Sequence, residues 1–156
     1  MELRDQISEA LKQAMRDKAA DRLSTLRLIN AAIKDRDIDK RAEGGDAGDA
    51  GVGSDEILKI LGKMVKQRQE SARAYGEGGR VELAEKDRSE ITVIEEFLPR
   101  QLNEGETAKA IDSAISETGA NSIRDMGKVM GALKARYTGQ MDFSSVGSKV
   151  KNRLAS

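Results

Sequence analysis

Neither cysteine nor histidine occurs in the 156 residues. The first absence excludes disulfides, thiolate nucleophiles and cysteine-held metals. The second removes the imidazole base and every histidine-containing zinc site. Aromatic residues make up only 3%, so any core is aliphatic, and proline occurs once, at Pro99. Neither sign of charge is in excess: 27 basic residues balance 27 acidic ones. The whole chain therefore gives no argument for a polyanionic partner, and local patches must carry that case. No stretch approaches the roughly 20 apolar residues of a membrane span. The opening MELRDQISEALKQ is acidic and discontinuous in its apolar residues, unlike a signal or transit peptide. The expectation is a cytoplasmic protein with no membrane contact, no metal and no cofactor.

What is abundant points to helices. Hydrophobic residues are 38% and charged residues 35%, a balance that suits long, well-solvated helices. Leu3, Ile7, Leu11, Ala14 and Met15 recur at helical spacing over residues 2–19. A second helix places Leu23, Leu26, Ile29, Asn30 and Ile33 on one side, with Ile38 near its end and Asp21 or Ser24 as its cap. Asn30 in that band calls for a hydrogen-bond partner across the interface. Residues 43–53, EGGDAGDAGVG, hold too little apolar surface to order and are expected to be a flexible loop. Their two aspartates are too sparse for a calcium loop, and no phosphate-cradling glycine motif is present.

Ser54 is placed to cap a third helix with Asp55 and Glu56 in its first turn. Ile57, Leu58, Leu61, Met64, Val65, Ala72 and Tyr75 form its apolar stripe. Gly76, Gly78 and Gly79 break it, with Gly76 or Gly78 as a left-handed cap. A fourth amphipathic helix returns through Val81, Leu83, Ala84, Ile91, Ile94 and Phe97. Its many acids, among them Glu82, Glu85 and Glu90, lack the histidines of a helical di-metal site and are assigned to a solvated face. Leu98 and Pro99 then end the first unit, because proline disfavours helix at the residue before it.

Beyond Pro99, Asn103 and Glu106 have the spacing of a capping box. A short helix follows to Gly119, and Ser122 with Asp125 marks the next start. That helix carries Ile123, Met126, Val129, Met130 and Leu133 inward, with Gly127 and Gly131 four apart as candidates for a close helix contact. Asp142 is placed to cap a last helix with Phe143, Val146, Val150 and Leu154. Over residues 124–156 seven basic residues face two acids, a balance of 7 − 2 = +5. Such a tail can neutralise phosphates, or can be the polar outside of a small bundle. The expected fold is all-α: a four-helix bundle-like domain over residues 1–98, then a three-helix domain over 99–156.

Four segments in this order resemble the YqeY-like (GatB/YqeY) family. They are TLRLINAAIKDRDID at 25–39, KQRQESARAYGEGGRVELAEKDRSEI at 66–91, FLPRQL at 97–102 and MGKVMGALKARYTG at 126–139. Phe97 stands where tyrosine is common before Leu-Pro, and residues 44–53 are peculiar to this sequence. The resemblance implies a tail similar to that of the GatB subunit of glutamyl/aspartyl-tRNA amidotransferase, where the tail helps to hold tRNA. It implies RNA contact through the MGKVMG segment, with Lys128, Lys134, Arg136, Lys149, Lys151 and Arg153 as candidate residues. The family label is a glutamine-dependent carbon–nitrogen ligase, yet no segment matches the catalytic portion of GatB, and no catalytic residue is assigned. The expected function is a noncatalytic tRNA- or RNA-binding accessory protein, linked to aminoacyl-tRNA amidation. Its partners would be structured RNA, or a protein of the translation or amidation machinery. A helical protein-interaction module and an autonomous amidotransferase or amidase are the alternatives.

Overall fold

The computed structural model describes residues 2–43 and 51–155, and among them the regular structure is helical throughout. The helices are α1 (Leu3–Arg16), α2 (Ala20–Ala42), α3 (Ser54–Glu77), α4 (Val81–Glu95), α5 (Glu104–Thr118), α6 (Met126–Tyr137) and α7 (Phe143–Ala155). Contacts divide the chain into two compact units, Met1–Leu98 and Pro99–Ser156.

The core of the first unit takes Leu3, Ile7 and Ala14 from α1, and Leu26, Ile29 and Ile33 from α2. Ile57, Leu61 and Met64 of α3 and Ile94 of α4 complete it. Spacings of three and four keep each set on one helix face. Met15 is 53% exposed, because one step past Ala14 turns it about 100° away from the core. Ile38 is 61% exposed for a similar reason: the inward position near that end of α2 belongs to Asp37. Asn30 is half-buried, so water can reach the amide for which the sequence suggested a partner across the interface.

None of the apolar side chains between Val65 and Val93 joins this core. There α3 and α4 pack against each other, with Ala72 and Ala84 buried. Arg68 donates to Glu90 at 2.6 Å across that pair, both side chains being only about 16% and 15% exposed. The bundle thus draws on α4 through its C-terminal end, while the remainder of α3 and α4 continues as a two-helix hairpin. The turn of that hairpin lies later than the sequence suggested. Helix α3 runs through Gly76, and it is Gly79 that adopts φ +74°. Arg80 N–H then reaches the Tyr75 carbonyl at 2.8 Å, satisfying a helix-end acceptor as a Schellman turn does.

Two expected caps are used otherwise. Ser54 donates its hydroxyl to Glu2 at 3.2 Å, while Gly53 takes the cap position of α3. Ala19, not Asp21 or Ser24, precedes the first turn of α2. The expected flexible loop divides as well. Residues 44–50 lie outside the described residues, but Val52 is 2% exposed and belongs to the core. One buried valine with two backbone hydrogen bonds was enough to order residues 51–53.

Those bonds form a clip. Arg4 donates from both Nη atoms to the Asp37 carboxylate, at 2.9 and 3.0 Å, and Nη2 also donates to the Val52 carbonyl at 3.0 Å. Val52 N–H in turn donates to Asp37 Oδ1 at 2.8 Å. Gly51 sits at φ +70°, and a Cβ there would come within 2.6 Å of Asp37 Oδ1. Glycine is needed both for the backbone angle and for the space.

Helix α4 tightens before Pro99: Glu96, Phe97 and Leu98 N–H groups bond to carbonyls three residues back. Phe97 and Leu98 pack on the first core and Leu102 on the second. In the second unit Ala110, Ile111 and Ala114 of α5 meet Val129 and Leu133 of α6, with Val146, Val150 and Leu154 of α7. Leu102 N–H donates to the Gln140 carbonyl at 2.9 Å, tying the segment after Pro99 to the α6–α7 turn. The expected Asn103–Glu106 capping box is present in both directions. Asp142 accepts from Ser144 N–H at 3.1 Å in the first turn of α7. Ahead of α6 a short 3-10 turn spans Ile123–Asp125, and Asp125 reaches back to Asn121 N–H rather than Ser122 capping the helix.

Candidate nucleic-acid interface

Helix α6 buries Val129 and Leu133 and half-buries Met126 and Met130, as the apolar spacing predicts, whereas Ile123, expected on the same stripe, falls in the 3-10 turn before the helix and is 46% exposed. Its opposite side presents Gly127, Lys128, Gly131 and Lys134, all exposed. The glycines do not serve a close contact between helices, which corrects their sequence assignment. A Cβ at either would meet nothing within 4 Å. Their effect is instead a smooth stretch of exposed helix backbone beside two lysines. Lys128 is 71% exposed and stands 3.9 Å from Asp125, a loose surface pair worth a few tenths of a kcal/mol.

The six candidate cations do not form one patch. Residues two apart on a helix point about 200° from each other, so Lys134 and Arg136 leave α6 on different sides. Lys149 and Arg153, four apart, share a side of α7, and Lys151 leaves it elsewhere. All six are exposed, but acids of α5 and the 3-10 turn meet three of them. Arg136 pairs with Glu117 and Arg153 with Asp112. Arg136 holds the Glu117 carboxyl below its usual range and is itself pushed up by it. The local charge excess of the tail is therefore reduced by α5, whose acids lie before residue 124 and outside the sequence count. Counting all of 99–156, nine basic residues face six acids, 9 − 6 = +3.

Lys149 and Arg153 also line an open hollow of roughly 420 Å³ with Asn152 of the same helix. Glu104, Ala108 and Ile111 of α5 form its other wall. Periodicity along one helix could not find this site, since its walls come from segments some 40 residues apart. The only sequence signal was the Lys149–Arg153 spacing.

At the start of α5, Arg100 donates two hydrogen bonds to Glu106, at 2.8 and 2.7 Å. These, and Asn103 N–H at 3.1 Å, pull the Glu106 carboxyl from its ordinary 4.5 to about 2. A depressed folded-state pKa contributes stability above the unfolded value, and that contribution is lost as pH falls from about 4.5 towards 2. Glu106→Gln should therefore flatten the acid limb of the second unit's stability profile in that window. Circular dichroism melts at stepped pH check this; an unchanged acid limb would remove Glu106 from the account.

The fold and this surface define a class: a two-unit helical chain whose small second unit carries separate basic faces. A family model described as Yqey-like protein matches residues 4–154, and the chain belongs to that family. Among curated relatives, "Altered inheritance of mitochondria protein 41, mitochondrial" of Clavispora lusitaniae is 36% identical over 88 residues, covering 56% of this chain and 46% of that protein. The protein of the same name from Meyerozyma guilliermondii is 37% identical over 90 residues, covering 56% and 42%. The "Uncharacterized protein C22F3.15" of Schizosaccharomyces pombe is 26% identical over 93 residues, covering 60% and 69%. The chain thus spans less than half the length of the two mitochondrial relatives. Their names overturn the cytoplasmic expectation. That expectation rested on hydropathy and charge, which report on membrane spans and leaders and not on the compartment where a folded domain works.

Proposed function

We propose that the chain is a noncatalytic accessory protein that binds structured RNA of the tRNA kind, in support of aminoacyl-tRNA amidation. The contact is the outer face of α6. The observation that carries it is the pairing of Lys128 and Lys134 with Gly127 and Gly131, whose missing side chains leave open space. Lysines supply phosphate neutralisation, and bare helix backbone lets a sugar–phosphate strand come closer than a side-chain-covered helix would. Family membership adds support, through the likeness of the tail to the RNA-holding tail of GatB. The double variant Lys128→Ala/Lys134→Ala should weaken tRNA binding about tenfold at low salt. It should also reduce the slope of log affinity against log salt by about 2. Titrations at two or more salt concentrations measure both. Unchanged affinity and slope would rule out this face.

A second reading has its own observation. The ion pairs of Arg136 with Glu117 and Arg153 with Asp112 leave much of the second unit with mixed charge, which suits a protein partner better than RNA. A stable protein partner retained after nuclease treatment, with no tRNA affinity at low salt, would favour it.

A further inference from the structure

Helix α2 carries a second stripe besides the one it buries. Arg27, Ala31, Lys34, Ile38 and Arg41 are all exposed, and their alternating spacing of four and three residues keeps them within about 80° of one another. The stripe runs for about 21 Å on the side turned away from Leu26, Ile29 and Ile33. It contains no acid. Asp37 stands about one turn from both Lys34 and Arg41, but its carboxylate is only 14% exposed and is bonded to Arg4 and to Val52 N–H.

The cations of this stripe differ from their neighbours. Arg22 and Arg36 leave the same helix in other directions and find acids, Arg22 at Glu96 and Arg36 at Glu43 and Glu56. Lys12 on α1 and Arg88 on α4 stand by acids of their own helices. Among the described residues no acid lies within ion-pair distance of Arg27, Lys34 or Arg41. Uncompensated cations in line on one helix are what a phosphate chain neutralises, with release of its counterions. The arginine forks also match phosphate oxygens in geometry. A protein interface would centre on apolar side chains with few charges, whereas here cations alternate with Ala31 and Ile38.

We infer that this outer face of α2 binds the phosphate backbone of RNA, with Arg27, Lys34 and Arg41 each at a phosphate. Ala31 and Ile38 lie against the sugars between them. The inference rests on the RNA reading and extends it to the first unit, which the α6 contact leaves without a role. The face carries no sequence preference, since phosphates carry none.

The test is fluorescence anisotropy of labelled tRNA with the full chain at several salt concentrations. Arg27→Ala/Lys34→Ala/Arg41→Ala should weaken binding at least tenfold at low salt and reduce the slope of log affinity against log salt by about 3. Ile38→Lys adds a fourth cation and should tighten binding several-fold, a gain that misfolding cannot produce. Unchanged affinity and slope in the triple variant would overturn the inference. Should that variant not fold, unchanged or weaker binding by Ile38→Lys would overturn it instead. If Lys128→Ala/Lys134→Ala still weakens binding in either case, the RNA reading stands on α6 alone. Affinity lost in the triple variant but kept in the α6 double variant would support the α2 face and remove the α6 contact. No tRNA affinity in the parent protein at low salt would overturn both, and salt-sensitive binding to phosphatidylserine vesicles would then assign the face to an anionic membrane.

Discussion

Asp37→Ala should destabilise the first unit by about 2–3 kcal/mol, the largest effect expected from any polar substitution there. Asp37 is only 14% exposed and accepts three hydrogen bonds, two from Arg4 and one from Val52 N–H. Truncation leaves the Arg4 guanidinium with the Val52 carbonyl alone and strips a buried amide of its acceptor. Charged hydrogen bonds contribute about 1.5–3 kcal/mol, and an orphaned buried donor adds its own desolvation cost. Asp37→Asn keeps an acceptor for Val52 N–H but loses the charge pairing, so about half the effect is expected. Urea titration measures this as a lower midpoint at unchanged slope. A loss under about 0.5 kcal/mol for Asp37→Ala would show that Val52 is held by packing alone.

The clip also gives the first unit an acid sensitivity. The Arg4 fork, helped by the Val52 amide, holds the Asp37 carboxyl below its usual range, and Arg4 is raised in return. Because the folded-state pKa is depressed, the stabilisation is complete above the unfolded value and fades as pH falls through the folded one. The Asp37→Asn variant should therefore lose stability at neutral pH and converge on the parent protein in acid.

Leu133→Ala should cost about 3 kcal/mol in the second unit. Leu133 is fully buried at the centre of α6, among side chains of α5 and α7. At 58 residues, Pro99–Ser156, a unit of this size is stabilised by only about 3–9 kcal/mol. One such cavity removes a large share of that margin. Hydrogen exchange should show protection falling together in α5, α6 and α7, since their helices share one core. The α6 surface depends on the same residue, so if it is the proposed RNA contact, tRNA affinity should fall in step with the folded fraction. Protection that fell in α6 alone would show that the three helices do not unfold as a unit.

Apolar spacing alone gave the helices, because a helix buries one stripe and the stripe repeats every three to four residues. Leu3–Ile7, Leu26–Ile29–Ile33, Val129–Leu133 and Val146–Val150 could each be assigned without a partner in view. The Asn103–Glu106 box was equally legible, being a contact between residues three apart. Resemblance in the quoted segments gave the family. Contacts between distant segments were beyond such local patterns. The Arg4–Asp37–Val52 clip spans 48 residues, and it holds Val52 at the end of a segment whose composition argued for mobility. Acids at 112 and 117 settled how much of the basic tail stays unneutralised, because α5 packs beside helices that follow it. Gly127 and Gly131 could have met a neighbouring helix or open space; only the placement of α6 in the fold decided for open space. Local periodicity fixes which way a side chain leaves its own helix, and tertiary packing alone decides what stands opposite it.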